Sequence, residues 1–295
     1  MNKFFFICCL LTLQTTWALG QAMGNVGYQN NKSTPRPNTK TVITLGDTAV
    51  MLTARVLLNA IADQYVMTIA TAQEGATLKD ANNKLQQKLD GFTKALQNLK
   101  VAPQDYYIDF IAQHKIYEYE VLNNTLLQEK LKGFEVKKNI TIRFTDKKLI
   151  ETLQLAAAEY QLYDIVKVEY LSNHNEQVRQ QLWEEATKII EQKRKNYVNY
   201  TQNTLKQNFI ISEDFAINTP TDMYESYKAY EAGSTNEYEY DDYRNRLKKV
   251  NLRKITTFYL NPLQANGFDK VINPIVIEPV LQYVYQLEVK CLISK

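Results

Sequence analysis

The sequence predicts an α+β protein with a mostly antiparallel sheet, helices packed on one face of that sheet, and one long helix. Several segments alternate apolar and polar residues, which is the period of a half-buried strand. Other segments repeat apolar residues at steps of three and four, which is the period of an amphipathic helix. With 295 residues, 45% hydrophobic and 23% charged, the chain can bury a sizeable core.

The N-terminus has the pattern of a secretory signal peptide over residues 1–20. Lys3 is followed by an apolar run over residues 4–13, and small residues precede Gln21. That run is too short for a helix that crosses a bilayer, which takes about 20 residues. We therefore expect cleavage before Gln21 and a periplasmic or outer-membrane-associated location.

The first folded elements follow a polar segment. Residues 21–40 contain two prolines and predict a flexible leader. Residues 41–72 are rich in β-branched residues and predict at least two strands, with a turn at Asp63-Gln64. Residues 76–100 predict a helix, because one face of it is apolar. That face consists of Leu78, Ala81, Leu85, Leu89, Phe92, Leu96 and Leu99.

The middle of the chain predicts an antiparallel pair of strands. Apolar residues alternate with polar ones over residues 108–116 and again over residues 134–144. The polar stretch between them, residues 118–132, predicts a connecting loop.

Two helices and two strands are predicted beyond this pair. One helix extends to Leu162, a strand covers residues 165–171, and the longest helical pattern covers residues 175–207. The closing strand carries Cys291 on its apolar face, which predicts a small buried side chain.

Residues 215–273 predict an insertion in a domain that covers residues 41–295. The insertion is acidic, polar and rich in tyrosine, and it has too few aliphatic residues for a core of its own. A partly ordered surface insertion is one interpretation. Tyrosine also combines apolar area with a polar tip, which suits a functional contact surface, and a contact between subunits is favoured over a carbohydrate-facing surface. The interface candidates are Tyr197, Tyr200, Tyr224, Tyr227, Tyr230, Tyr238 and Tyr240.

Charge, cysteine content and motifs exclude several functions. A net charge of +3 is too small for a dedicated nucleic-acid binder. The predicted mature chain keeps one cysteine, so an internal disulfide or a thiolate metal site cannot form. No phosphate-loop, dinucleotide or nucleophile-elbow motif occurs, and the two histidines, His114 and His174, lie on separate elements. We expect no catalytic, cofactor-binding or metal-binding residues.

Several segments together carry a family resemblance over about residues 42–294. They are VMLTARVLLNAIADQYVMTI (50–69), LKVAPQDYYI (99–108), GFEVKKNITIRFTD (133–146), IVKVEYL (165–171), the long helix with Arg179 and Ala186, ISED (211–214) and VYQLEV (284–289). In this combination and order the chain resembles the SIMPL-domain family, envelope proteins that include the oxidative-stress-defence and periplasmic immunogenic proteins.

The resemblance implies an exported α+β protein that forms oligomers, since at least some members assemble into rings or channels. It implies association with the cell envelope and a part in envelope or oxidative stress tolerance, but no catalytic residue. Our first hypothesis is a non-enzymatic, self-assembling protein with a binding or scaffolding role and an unknown ligand. The alternatives are a monomeric periplasmic ligand-binding module and a hydrolase with dispersed carboxylates.

The signal-peptide hypothesis predicts the mass of the exported chain. Expressed from its own N-terminus in a Gram-negative host, the protein should reach the periplasm as a chain that begins at Gln21. Leu11→Arg should block processing, because a charge interrupts the apolar run, whereas Gln14→Arg beyond that run should not. Intact-mass spectrometry of the periplasmic fraction measures both, and an unprocessed wild-type chain there would contradict the prediction.

Overall fold

The computed structural model describes residues 26–28, 42–45, 48–122, 126–229 and 256–294. The helices of this part of the chain are α1 (Leu78–Asn98), α2 (Leu149–Glu159), α3 (Asn175–Thr201) and α4 (Pro220–Met223), with a 3-10 turn at Pro103–Asp105. The strands are β1 (Val26–Tyr28), β2 (Val42–Leu45), β3 (Ala49–Ala60), β4 (Gln64–Gly75), β5 (Tyr106–Leu122), β6 (Leu126–Phe144), β7 (Asp164–Leu171), β8 (Thr204–Asn218), β9 (Tyr224–Ala229), β10 (Thr256–Leu260), β11 (Lys270–Ile272) and β12 (Leu281–Ser294). This content confirms the predicted α+β class.

These elements fall into two compact units. The smaller unit is a three-stranded sheet of order β1-β9-β10, in which Val26 pairs with Ala229 across an antiparallel ladder. The larger unit contains two further sheets and the helices. The predicted signal peptide lies outside the described residues.

The first sheet of the larger unit has the order β11-β3-β12-β8, and β2 also pairs with β3. β12 is antiparallel to β3 over twelve residue pairs, from Leu281 opposite Ala60 to Leu292 opposite Ala49. The long helix α3 packs on β3 and β12 through buried side chains one turn apart, which are Leu182, Ala186 and Ile190. Cys291 is buried in β12, as predicted.

The second sheet has the order β5-β6-β4-β7, and its neighbouring strands are antiparallel. Helix α1 packs on β4 and β6, and α2 contacts α1. The predicted helical stripe is confirmed at its centre, where Ala81, Leu85, Leu89, Phe92 and Leu96 are buried. The backbone N–H of Asp80 donates to Thr77 Oγ1 at 3.1 Å, which satisfies an otherwise unpaired group in the first turn of α1.

The predicted turn is confirmed at Asp63, whereas Gln64 already begins β4, and this turn connects the two sheets. It separates β3, in the first sheet, from β4, in the second. The Asp63 carboxylate accepts hydrogen bonds from the Ser172 hydroxyl and the Asn173 backbone, both at 3.1 Å. The turn is thereby tied to the segment between β7 and α3, and the buried side chains of both sheets form one hydrophobic cluster.

The prediction of a connecting loop over residues 118–132 is wrong. β5 continues to Leu122 and β6 begins at Leu126, so most of that stretch is an antiparallel hairpin. Glutamates and lysines make the stretch polar on average, but they alternate with apolar residues at the period of a strand.

The long helix also ends earlier than predicted, at Thr201 instead of residue 207. Gln202 has φ 60°, a left-handed conformation that stops an α-helix. Leu205, predicted on the helix, is instead buried in β8, which pairs with β12. Burial of Leu205 in the sheet therefore outweighs the helical propensity of the segment.

Gly75 marks a tight approach between the end of β4 and the start of α1. A Cβ at Gly75 would overlap the backbone nitrogen of Ala81 and lie 2.8 Å from its Cα. Gly75→Ala should therefore lower the free energy of unfolding by about 1–3 kcal/mol, because backbone atoms must move. The neighbouring exposed substitution Glu74→Ala should change it by less than about 0.5 kcal/mol. Urea denaturation compares the two variants. Equal losses of stability would show that the backbone around Gly75 and Ala81 can move apart without a measurable cost.

Candidate functional site

Three segments that the sequence singled out separately meet beside helix α3. Arg179 comes from α3, Glu213 from β8 and Tyr285 from β12. Arg179 Nη2 donates to Glu213 Oε1 at 2.9 Å, and its guanidinium carbon lies 6.0 Å from the centroid of the Phe215 ring. The β8–β12 register places Phe215 opposite Tyr285. Pairing of distant strands thus assembles this group, which we call the Arg179 cluster.

The cluster combines a solvent-facing ion pair with a buried phenol. The hydrogen bond from Arg179, and then the nearby Tyr285 hydroxyl, hold the pKa of Glu213 below its usual value. Burial, and then the neighbouring Glu213 carboxylate, raise the pKa of Tyr285. Within the described ranges, the buried Tyr285 hydroxyl nevertheless has no hydrogen-bond partner at good geometry. At neutral pH the cluster therefore holds one cation, one anion and a neutral phenol.

A groove of about 400 Å³ lies over this cluster. Its lining consists of Glu176, Arg179, Gln180, Trp183 and Glu213. Trp183 is 37% exposed, and its indole offers a flat apolar surface beside charged and amide groups. Such a lining suits a polar ligand with an apolar face. Across the described residues, no group of three or more His, Cys, Asp or Glu side chains is placed to hold a metal ion.

A second feature is the far end of the β5–β6 hairpin, which we call the arm (residues 115–122 and 126–133). β4 ends at Gly75, opposite Phe134, and α1 begins only at Leu78. Beyond that level the described part of the second sheet offers neither a third strand nor a helix against the hairpin. Eight residues in each strand extend it by about 26 Å, at about 3.3 Å per residue.

One face of the arm is apolar and exposed. Cross-strand register pairs Tyr117 with Leu131 and Val121 with Leu127, and Tyr119 shares their face. These five side chains are 48–67% exposed. Phe134 pairs with Lys115 on the same side, so this apolar face continues the helix-covered face of the second sheet. The opposite face of the arm is mainly polar and carries Glu118, Glu120, Gln128 and Lys130, with Leu126 exposed near its tip.

The predicted interface tyrosines are spread over several elements. Tyr200 is 92% exposed near the end of α3, Tyr224 is exposed at the start of β9, and Tyr197 packs partly against the core. The side chain of Tyr227 and all of Tyr230, Tyr238 and Tyr240 lie outside the described residues. Sequence analysis missed the arm, although the alternation in YEYEV (117–121) was a signal for it.

The matching family model is SIMPL, described as a protein of unknown function (DUF541), over residues 50–250. The chain belongs to the SIMPL family. No curated protein matches it. The match includes Arg179, Glu213 and the whole arm, so both candidate sites of this SIMPL chain lie mainly within the family domain, with Tyr285 beyond it.

The described helices of the SIMPL chain show no membrane-spanning segment. None of them combines the length and the apolar character that a bilayer crossing requires.

The Glu213 ion pair predicts a pH-dependent contribution to the stability of the SIMPL chain. Because the folded-state pKa of Glu213 is lowered, its stabilisation is present above the ordinary carboxylate pKa and is lost as pH falls through the folded value. Glu213→Gln should therefore lower the urea midpoint at pH 7 but not near pH 2. The double variant with Arg179→Gln and Glu213→Gln should lose less free energy of unfolding than the sum of the losses in the two single variants. If Glu213→Gln lowered the urea midpoint equally at both pH values, the ion pair would not be the source of the lost stability.

Proposed function

We propose that this SIMPL chain is an exported, non-catalytic envelope protein that works by assembling with further copies of itself, in a binding or scaffolding role. The apolar face of the arm is the observation that carries the proposal. Soluble monomers rarely expose contiguous apolar patches above a few hundred Å². Five large side chains about half exposed or more, side by side on one face, are typical of a surface that another molecule covers.

The stability of the arm supports the same proposal. A two-stranded ribbon without a third strand or a helix is marginally stable in water. A partner on the apolar face would supply the missing burial. The family resemblance supports the envelope location and a part in stress tolerance.

A monomeric ligand-binding module is the second candidate, and the groove over the Arg179 cluster favours it. The guanidinium, the amide of Gln180 and the indole of Trp183 give this groove polar contacts and one stacking surface. The groove is small and its Arg179 is already paired with Glu213, so it supports the second candidate less strongly than the arm supports the first.

Assembly predicts the mass of the purified chain from Gln21 onward. Light scattering at several concentrations should show a defined species several times the mass of one chain, stable on dilution, because its contacts bury apolar area. A monomer at every concentration would contradict the proposal.

The second candidate has a direct optical test. From Gln21 onward, Trp183 is the sole tryptophan, so its fluorescence reports on the groove. If the groove binds sugars, N-acetylglucosamine oligomers should change this fluorescence saturably without changing the mass, and Arg179→Gln should abolish the change. An unchanged spectrum would count against sugar binding at this groove.

A further inference from the structure

We infer that the apolar face of the arm packs against the same face of a second copy, so that two arms form a joint of the assembly. This inference rests on the proposed self-assembly and names its surface and its partner. The contact is isologous, because the same patch is buried on both copies.

The size of the patch fits such a pair. Two tyrosines, two leucines and a valine at 48–67% exposure present roughly 500 Å². Two such faces bury about 1,000 Å², close to the lower limit for a specific protein interface. Against a surface without apolar side chains, only one arm's apolar area, about 500 Å², would be buried.

The chemistry of the face suits its own copy. Apolar side chains form two rows along it, which Glu129 interrupts opposite Tyr119 and which Lys115 borders at the base of the arm. The Tyr119 hydroxyl donates to Glu129 Oε1 at 3.1 Å, which gives that carboxylate a partner within its own arm. Glu129 is exposed. When two such faces meet, the apolar rows cover each other and the carboxylates keep their tyrosine partners.

The charge of the arm favours a protein partner over a membrane. Over residues 115–122 and 126–133 the arm has three glutamates and three lysines, so it carries no net charge. Lys130 already pairs with Glu120 at 3.1 Å on the polar face. An anionic lipid surface attracts segments with an excess of basic residues, and the arm has no such excess. The polar face stays in water when the apolar face meets a second copy.

Two matched variants test the joint. Val121→Thr with Leu127→Thr removes a cross-strand pair from the apolar face and keeps residues that suit strands. Glu120→Thr with Gln128→Thr changes the adjacent pair on the polar face. The first variant should weaken assembly by about tenfold or more in light scattering, and the second should leave it unchanged. Circular dichroism verifies that both remain folded.

A cross-linking measurement tests the same joint and depends less on the stability of the variants than the light-scattering comparison does. Leu127→Cys places a thiol on the apolar face, and Gln128→Cys places one on the polar face of the same strand. Cys291 does not compete, because it is buried and burial raises its thiol pKa. A short bismaleimide should convert the Leu127→Cys protein to covalent dimers and leave the Gln128→Cys protein monomeric on a denaturing gel.

The outcomes separate this inference from the proposed function. A wild-type chain that is monomeric at every concentration overturns both. A wild-type assembly that the Val121/Leu127 variant forms equally well, without Leu127→Cys dimers, overturns only the joint. Arm-dependent sedimentation with phosphatidylethanolamine–phosphatidylglycerol vesicles, with assembly unaffected, would assign the face to a membrane and also overturn the joint.

Discussion

The antiparallel ladder between β12 and β3 is the constraint on which the larger unit depends. It joins strands more than 200 residues apart and places β12 at the centre of the first sheet, between β3 and β8. The face of β12 that includes Tyr283, Tyr285 and Leu287 is buried, and α3 packs on this strand. Without this ladder, neither the support for α3 nor the meeting of Arg179 with Glu213 would exist.

The second sheet explains why an apolar face is left uncovered. β6 pairs with β4 from Tyr65 to Gly75 and continues past the end of β4. β5 pairs with β6 along this continuation, with register shifts at Phe110/Ala112 and Ile116/Tyr117. Strand β4 and helix α1 both reach only to about this level of the hairpin. The reason is that Gly75 ends β4 and closely approaches the backbone of Ala81, near the start of α1. The alternation of apolar residues does not stop there. The arm is thus a continuation of the core face beyond the elements that cover that face.

The two candidate surfaces differ in how far their chemistry is already satisfied. In the groove, Arg179 is matched by Glu213 and stacks near Phe215, so a ligand would have to compete with these contacts. On the arm, the apolar side chains meet water, and burying them releases free energy in proportion to the area covered, at about 25 cal/mol per Å² before the costs of association. This difference is the physical reason for ranking assembly above ligand binding.

The sequence by itself determined the elements whose pattern is local: the stripe of α1, the turn at Asp63, strand β7 and the buried face of β12 with Cys291. It also singled out the segments of Arg179 and Glu213, but not their meeting. Only tertiary structure ended α3 before Leu205 and extended the hairpin through residues 118–122, because burial and cross-strand pairing act between residues distant in the chain. Periodicity reports which face of an element is apolar. Whether another element covers that face is decided by where the neighbouring strands and helices end.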